Sequence, residues 1–472
     1  MLPVLTPTQM AAVDAAASDP VDVLIGRAAG AVARAAVDVM GGTYGRRVVV
    51  VAGPGNNGND GRVAAAMLRR RGVRTRVHDV RSAPAVLERS DLVLDAAFGT
   101  GFRGTYDFPD PNGAPVLAVD IPSGISGLTG LASGTPAPAV ATVTFAALKP
   151  GLLVADGPGH AGEVVVADIG LDVDDSDVVG SARCGLVTDD DVLAWVPGRA
   201  VDDHKWRHAV RVVAGSPGMS GAARLCSEAA LRAGGGYVRL TVPGDPDPLT
   251  PVEVVVTAAG LGDWAEVVAA DAGRFGCVAV GPGLGRAEVT AGQVLRMLGS
   301  VEVPVVVDGD GLWAIGDGGA IGDGAHDGAV AALRGRPVVD GRPAATILTP
   351  HDGEFALLTG HAPGEDRIDA ARTLATDTGA VVLLKGPTTV VADPGGDVLL
   401  VRSGDARLAT AGTGDVLTGT IAAMVASGAT PFRAAAAAAH LHGRAAALGP
   451  AHGLVAGDLI DALPAAWAAL AG

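Results

Sequence analysis

Short, continuously apolar runs closed by glycine or aspartate turns organise this chain. VVVVA at 48–52, LVLDA at 92–96 and VLAVD at 116–120 each end in such a turn and lead into a helical stretch. Runs apolar at every position predict parallel strands covered on both faces. ATVTF at 141–145 alternates instead, which also predicts a strand. The expectation for this half is a three-layer α/β domain. Residues 172–180, DVDDSDVVG, are acidic with no apolar face and are expected to be a linker. A second series follows: VRVVA at 210–214, CVAVG at 277–281, VPVVVD at 303–308 and AVVLLK at 380–385. Strands alternating with helices predict a second doubly wound layer structure.

Residues 316–341, rich in Gly and Asp, read as a solvated surface insertion without function. The alanine run 434–439 predicts a closely packed helix, since alanine has the highest helix propensity.

Length agrees with two units: 472 residues exceed what one core holds, which levels off near roughly 250–300 residues. The expected domains are 1–176 and 177–472. Apolar residues at 49% and charged residues at 18% suit a buried α/β interior and exclude a disordered chain. With 35 Lys and Arg against 51 Asp and Glu, the formal charge is −16, a field that repels nucleic acid and acidic membrane surfaces. Any phosphate must therefore be held by local geometry. MLPVLTPTQMAAVDAAA has no basic region or signal-type apolar stretch, and no run of about 20 apolar residues occurs, so a soluble cytoplasmic protein is expected. Cys184, Cys226 and Cys277 are widely spaced, without CxxC or His pairing, and read as buried small residues rather than disulfide or zinc partners.

In the first half the chemistry lies at three strand ends. GPGNNGNDG, Gly53 to Gly61, follows the first strand, and glycines there let backbone amides approach a phosphate at the positive end of a helix. The amide and carboxylate oxygens of Asn56, Asn57 and Asp60 could coordinate a cation or fix a polar substrate. DAAFGTGFRG, Asp95 to Gly104, and DIPSG, Asp120 to Gly124, end two further strands. Ligands in open parallel sheets sit beyond the carboxyl ends of strands, so the three turns are expected to converge on one crevice.

With TFAALKPGLL, Thr144 to Leu153, these residues resemble the amino-terminal domain of the NAD(P)HX epimerase family over about residues 5–171. The resemblance implies a Rossmann-like fold. It implies that Asn56, Asn57, Gly58, Asn59 and Asp60, with Gly99, Thr100, Gly101, Phe102, Arg103, Gly104 and Thr105, hold a hydrated dinucleotide. It further implies that Asn57, Asp95 and Ser123 bind K⁺, and that Asp120 lies against the hydrated ring and assists epimerisation. Two departures from the family pattern are Asn59, where a glycine is usual, and Gln9, where a glutamate is common.

In the second half LATAGTGDVLTGTIAAM, Leu408 to Met424, is the most informative segment. Gly412, Thr413 and Gly414 at a helix start offer consecutive N–H groups to a migrating phosphoryl group, and Asp415 stands at the helix mouth as a base for a hydroxyl. Upstream, LTPHDGEF carries His351, LLKGPTTVV carries Lys385, and GPGLG carries Gly283 and Gly285. By itself His351 could equally be a capping or surface histidine.

Together with the segment 202–225, these motifs resemble the ADP-dependent NAD(P)HX dehydratase family over about residues 183–470, which implies a ribokinase-like fold. By that resemblance Ala222, Gly283 or Gly285, His351 and Asp415 contact the hydrated cofactor. Lys385, Gly386, Pro387, Thr388 and Thr389 contact the adenine nucleotide together with Gly414, and Gly412 and Gly414 form the anion-binding pair. Trp206 and Ala411 stand where the family has glycines.

The whole implies an enzyme of two activities acting on NADHX, NADPHX and ADP, with a homo-oligomer expected. Asp415 deprotonates the ring hydroxyl, which attacks the terminal phosphate of ADP; AMP leaves, and elimination of phosphate restores the reduced ring. Mg²⁺ is the expected charge partner, with Glu228, Asp308, Asp310 and Glu354 as candidate ligands, Glu354 equally a helix cap. Two rivals share these motifs: a ribokinase-like small-molecule kinase fused to a dinucleotide-binding domain, and a first domain that binds without catalysis.

Overall fold

The structure, a computed structural model, describes residues 1–245, 250–316 and 325–471. The chain divides into two compact units, Leu2–Arg183 and Cys184–Gly472. The division lies beyond the expected linker, because Ser176–Val179 is helical and buries Val179 with Leu5, Met10, Val13 and Ala147. An acidic segment thus carries one apolar anchor that its composition conceals.

The sheet of the first unit runs Arg74–Asp79, Arg47–Ala52, Leu92–Ala96, Val116–Val119, Ala141–Phe145, Glu163–Ala167, every pair parallel. The chain starts in the second position, moves to one edge, then returns and builds toward the other. The switch therefore falls between Arg47–Ala52 and Leu92–Ala96, the place where such sheets open a crevice. All four predicted strands are present. The edge strands RTRVHD and EVVVA escaped prediction because each is only half covered. Alternate residues explain the two covered faces: Val48, Val50 and Ala52 pack on one side, Val49 and Val51 on the other.

In the second unit the order is Cys184–Leu186, Val398–Val401, Thr389–Ala392, Val381–Leu384, Thr346–Leu348, Val305–Val307, Cys277–Val280, Ala209–Val213, Tyr237–Thr241, Val255–Val256. Only Thr389–Ala392 runs against its neighbours among these. Here the switch lies between Ala209–Val213 and Cys277–Val280. Helices Ser220–Arg232, Thr413–Ala426, Pro431–Leu448 and Ala456–Leu470 share one core with Val210, Val212, Val306, Ile347 and Leu383. Ala434 to Ala439 are all buried in it, as their small size predicts.

Of the expected insertion, residues 317–324 lie outside the described residues. The remainder is structured: helix Ala325–Arg334 and the antiparallel pair Val338–Val339 and Arg342–Pro343. Arg336 is buried there and donates to the carbonyls of Leu298, Val301, Val303, Ala344 and Ala345. Its guanidinium, invisible in a Gly- and Asp-rich pattern, ties the segment to the fold. No helix among the described residues is long and apolar enough to cross a membrane.

Candidate active sites

At the switch of the first sheet a cavity of about 530 Å³ is lined by Asn56, Asn57, Asp60, Gly99, Thr100, Gly101, Phe102 and Asp120, all singled out in the sequence. The loop after Ala52 turns into helix Asn56–Arg70. Gly58 makes that turn possible, since a Cβ there would lie 1.9 Å from the Gly53 carbonyl oxygen. Gly58 therefore shapes the loop while standing off the cavity wall. Asn59, Arg103, Gly104 and Thr105 are exposed and outside the lining residues, so the structure does not gather them into the cavity.

Asp95, next to last in the strand Leu92–Ala96, is fully buried. Ser123 Oγ donates to it at 2.6 Å, Ser123 N at 2.8 Å and Ala97 N at 3.3 Å. Burial nevertheless pushes the Asp95 carboxyl up to about 6, the donors only partly offsetting it. Both polar atoms of the Asn57 amide are buried without a hydrogen-bond partner among the described residues. Orphaned amide atoms in this setting ask for a ligand.

Asp120 holds φ at +67°, a conformation rare for a side chain with a Cβ. Its Oδ1 accepts from Lys149 Nζ at 2.6 Å and Thr144 Oγ1 at 3.1 Å. Asp14 and Lys149 also line the cavity. Burial, then Asp120 and Asp14, push the Asp60 carboxyl up to about 8. Asp14, Thr144 and Lys149 carried no role in the sequence reading. The KPG that follows a strand was their available signal, since a lysine at a buried strand end needs an acidic partner.

The second site gathers at strand ends too. Asp308, Thr349 and Lys385 directly follow the strands Val305–Val307, Thr346–Leu348 and Val381–Leu384. Asp308 accepts from Lys385 Nζ at 2.6 Å, Thr349 Oγ1 at 2.7 Å and Thr418 Oγ1 at 2.7 Å. Burial works against the Lys385 ammonium, but Asp308 and Glu354 outweigh it and hold the group above its ordinary range.

Gly412 is the cap of helix Thr413–Ala426 at φ +89°, where a Cβ would meet Leu225 at 2.6 Å. A Cβ on Gly414 would stand 3.4 Å from Lys385 Nζ, so the ammonium and the glycine turn share one space. Asp415 is pushed up to about 7, by burial first and then by Asp308, Asp310 and Glu354, against the pull of Lys385.

Around the turns, a Cβ on Gly283 would meet Ala222 Cβ at 2.9 Å, and one on Gly285 would lie 3.6 Å from Met219 Cε. Ser216 Oγ donates to the Gly283 carbonyl at 3.0 Å. Asp310 accepts from Gly285 N at 2.8 Å and Arg286 Nε at 3.0 Å, which holds the GPGLG loop. His351 is a helix cap: its Nδ1 accepts from Gly353 N at 3.0 Å and Glu354 N at 3.2 Å. Glu354 Oε2 in return accepts from His351 N at 3.0 Å. The ring stays exposed although its Nε2 lies 3.5 Å from Glu354 Oε1, so capping leaves a face of the ring open to a ligand. Arg367 grips the loop after Lys385, donating to the Lys385 carbonyl at 2.7 Å and to Asp352. Gly386 and Pro387 are exposed beside it, Thr388 is buried and Thr389 opens the next strand.

A sequence profile described as NAD(P)H-hydrate dehydratase matches residues 210–465, and one described as YjeF-related protein N-terminus matches 21–87 and 78–151. A bifunctional NAD(P)H-hydrate repair enzyme from Mycobacterium leprae is 40% identical over 470 residues, covering 92% of this chain and 91% of the relative. This chain belongs to the bifunctional NAD(P)H-hydrate repair enzyme family. The Bacillus subtilis structure of an ADP/ATP-dependent NAD(P)H-hydrate dehydratase matches with a TM-score of 0.50 and 31% identity, covering 60% of this chain and 97% of that one. A ribokinase-like superfamily protein from Enterococcus faecalis, at 19% identity and a TM-score of 0.52 over 61% of this chain and 96% of that one, supports the fold alone. The first unit is Rossmann-like and the second ribokinase-like.

This member's departures from the repair-enzyme pattern find physical explanations. Gln9 accepts from Thr6 N at 3.0 Å in a capping box, and its Nε2 donates to the Val179 carbonyl at 2.8 Å, which a glutamate could not do. Trp206 lies before the strand Ala209–Val213, at the end remote from Gly215, tilted at 41° against the Tyr237 ring with centroids 4.4 Å apart, under the Arg274 guanidinium at 4.1 Å. Asn59 and Ala411 are exposed.

Proposed function

We propose that the first unit interconverts the R and S forms of NADHX and NADPHX, and that the second dehydrates the S form to NADH or NADPH while ADP is split to AMP and phosphate. The observation that carries this reading is Asp415 at the mouth of a glycine-capped helix, beside the Lys385 ammonium and with its carboxyl near neutrality. A base of that strength accepts a proton from the ring hydroxyl and returns it at working pH. The freed oxygen attacks the terminal phosphorus of ADP, the bond to AMP breaks, and Gly412 to Gly414 N–H groups with Lys385 take up the charge. In the phosphorylated hydrate the ring C–O bond then breaks, phosphate leaves with the electron pair, and the neighbouring ring carbon loses its proton. Lys385 to Thr389 face the nucleotide in this reading; Ala222, Gly283, Gly285 and His351 face the hydrated cofactor.

Magnesium would arrive with the nucleotide, neutralising phosphate charge. Asp308 and Asp310 already accept hydrogen bonds on both oxygens, Glu354 caps its helix, and Glu228 pairs with Arg224 at 3.6 Å. These carboxylates form no free cage, so the ion would be held largely through phosphates.

In the first unit, helix Asn56–Arg70 presents its N-terminal amides to the dinucleotide phosphates while Asp120 faces the hydrated ring. The orphaned Asn57 amide, buried Asp95 and Ser123 fit an oxygen-ligated monovalent cation, which would offset the Asp95 charge. Epimerisation breaks the ring C–O bond with water leaving, and water re-adds from the opposite face. Asp60, raised to about 8, can lend the departing hydroxyl a proton, and Asp120 can take one from the entering water.

The test incubates hydrated NADH, both epimers present, with the protein and ADP, following absorbance at the reduced nicotinamide band. Complete recovery with release of AMP and phosphate is expected. Recovery without nucleotide consumption, or phosphorylation of an added thiazole or pyrimidine alcohol instead, would overturn it.

A further inference from the structure

Lys149 follows the strand Ala141–Phe145 and is 1% exposed. An ammonium has three protons to donate, and each has an acceptor here: Asp120 Oδ1 at 2.6 Å, Thr144 Oγ1 at 2.8 Å and the Phe145 carbonyl at 3.0 Å. Lys149 is the one cation among the described residues that line the cavity, yet it keeps no proton for a phosphate or a ring oxygen. It spends its charge on the protein.

The effect falls on Asp120. Thr144 Oγ1 donates to the same Oδ1 at 3.1 Å, so that oxygen is fixed from two sides. The other lies toward the cavity: a Cβ built on Gly99 would be 3.5 Å from Asp120 Oδ2 and 3.5 Å from Asn57 Cβ. The backbone of Asp120, at φ +67°, is itself held in a conformation a side chain normally avoids, and such strain survives only when the surroundings over-determine it. Asp14 and Asp60 line the same wall, so an unanchored Asp120 would swing away from two neighbouring carboxyl groups. We infer that Lys149 is a positioning residue for the epimerase site, anchoring Asp120 Oδ1 with Thr144 so that Oδ2 alone meets the hydrated ring. This rests on the epimerase reading of the first unit.

The test uses the full chain without ADP, starting from a single NADHX epimer and following the other by chromatography across substrate concentrations. Lys149→Met is expected to lower kcat on the order of 100-fold, the cost of a misaimed group, with KM nearly unchanged. ADP-dependent dehydration of the S epimer, carried by the other unit, should persist in the same sample. Thr144→Val, which keeps the lysine and the side-chain shape, is expected to lower kcat roughly tenfold, as for one hydrogen bond to a charged group. That variant decides the matter if Lys149→Met unfolds the first unit, as judged by loss of its thermal transition. A raised KM at unchanged kcat in either variant would make Lys149 a substrate ligand and overturn the inference, as would an unchanged rate in both. Absence of epimerisation by the unaltered chain would instead overturn the reading of the unit itself.

Discussion

Lys385 Nζ lies 2.6 Å from Asp308 Oδ1 and within reach of the glycine turn that opens the helix of Asp415. The pair joins two strand ends to a helix mouth. Asp308 spends its second oxygen on Thr418 of that helix at 2.7 Å, so one buried carboxylate sets both the cation and the helix that carries Asp415.

Breaking this pair should cost stability. Asp308→Ala takes from the Lys385 ammonium its 2.6 Å partner and from Thr418 its acceptor, and leaves Thr349 only the Val307 carbonyl at 3.3 Å. A loss of about 3 kcal/mol is expected for the second unit, read as a lower midpoint in urea unfolding. Asp308→Asn, which keeps the side-chain shape and one accepting oxygen but not the charge, should lose less.

Division of labour follows from two sites in two units. Asp415→Asn should reduce ADP-dependent recovery of the reduced cofactor by about 100- to 10,000-fold, the range for a lost general base. Exchange between the hydrate epimers, followed chromatographically, should continue at the rate of the unaltered chain. Loss of both activities in a folded protein would contradict the assignment.

The pH dependence of dehydration has a stated sign. Asp415 must be deprotonated to accept the hydroxyl proton, and its carboxyl sits at about 7. kcat/KM for the S epimer should therefore fall about tenfold per pH unit below that value and level off above it. A profile flat down to pH 5 would mean that Asp415 is ionised throughout and that another group sets the rate.

At the epimerase site, Asp95→Ala removes a buried carboxyl tied to Ser123 and should weaken both K⁺ dependence and hydrate binding. With both epimers and ADP supplied, the S form should be consumed at once and the reaction stall near half conversion. Slow spontaneous epimerisation alone should then continue. Rapid complete conversion would make Asp95 a structural turn residue.

Gly58→Ala tests the loop geometry rather than chemistry. With 1.9 Å between the new Cβ and the Gly53 carbonyl oxygen, the backbone must shift. A destabilisation of about 1–3 kcal/mol is expected, seen in the thermal transition of the first unit, with ADP-dependent dehydration of the S form unaffected.

Much of this protein was legible in its sequence because the signals are local. Central strands such as VVVVA and LVLDA bury both faces, so their apolar runs need no partner to be recognised. Glycine turns after strands announce a helix N-terminus, and GTGD places a carboxylate at it. The edge strands RTRVHD and EVVVA hid because half their surface meets water. Gly58, expected to hold the dinucleotide, is also a point of close backbone approach, and Asn59, Arg103, Gly104 and Thr105 lie outside the cavity lining; which loop atoms face inward is decided by how a turn folds back. His351 showed its cap only once Glu354 closed it. Tertiary structure alone set Lys149 against Asp120 and Lys385 against Asp308, pairs that are 29 and 77 residues apart in the chain. A lysine's charge is visible in a sequence, but whether it meets a substrate or a carboxylate depends on which strand ends the sheet order brings side by side.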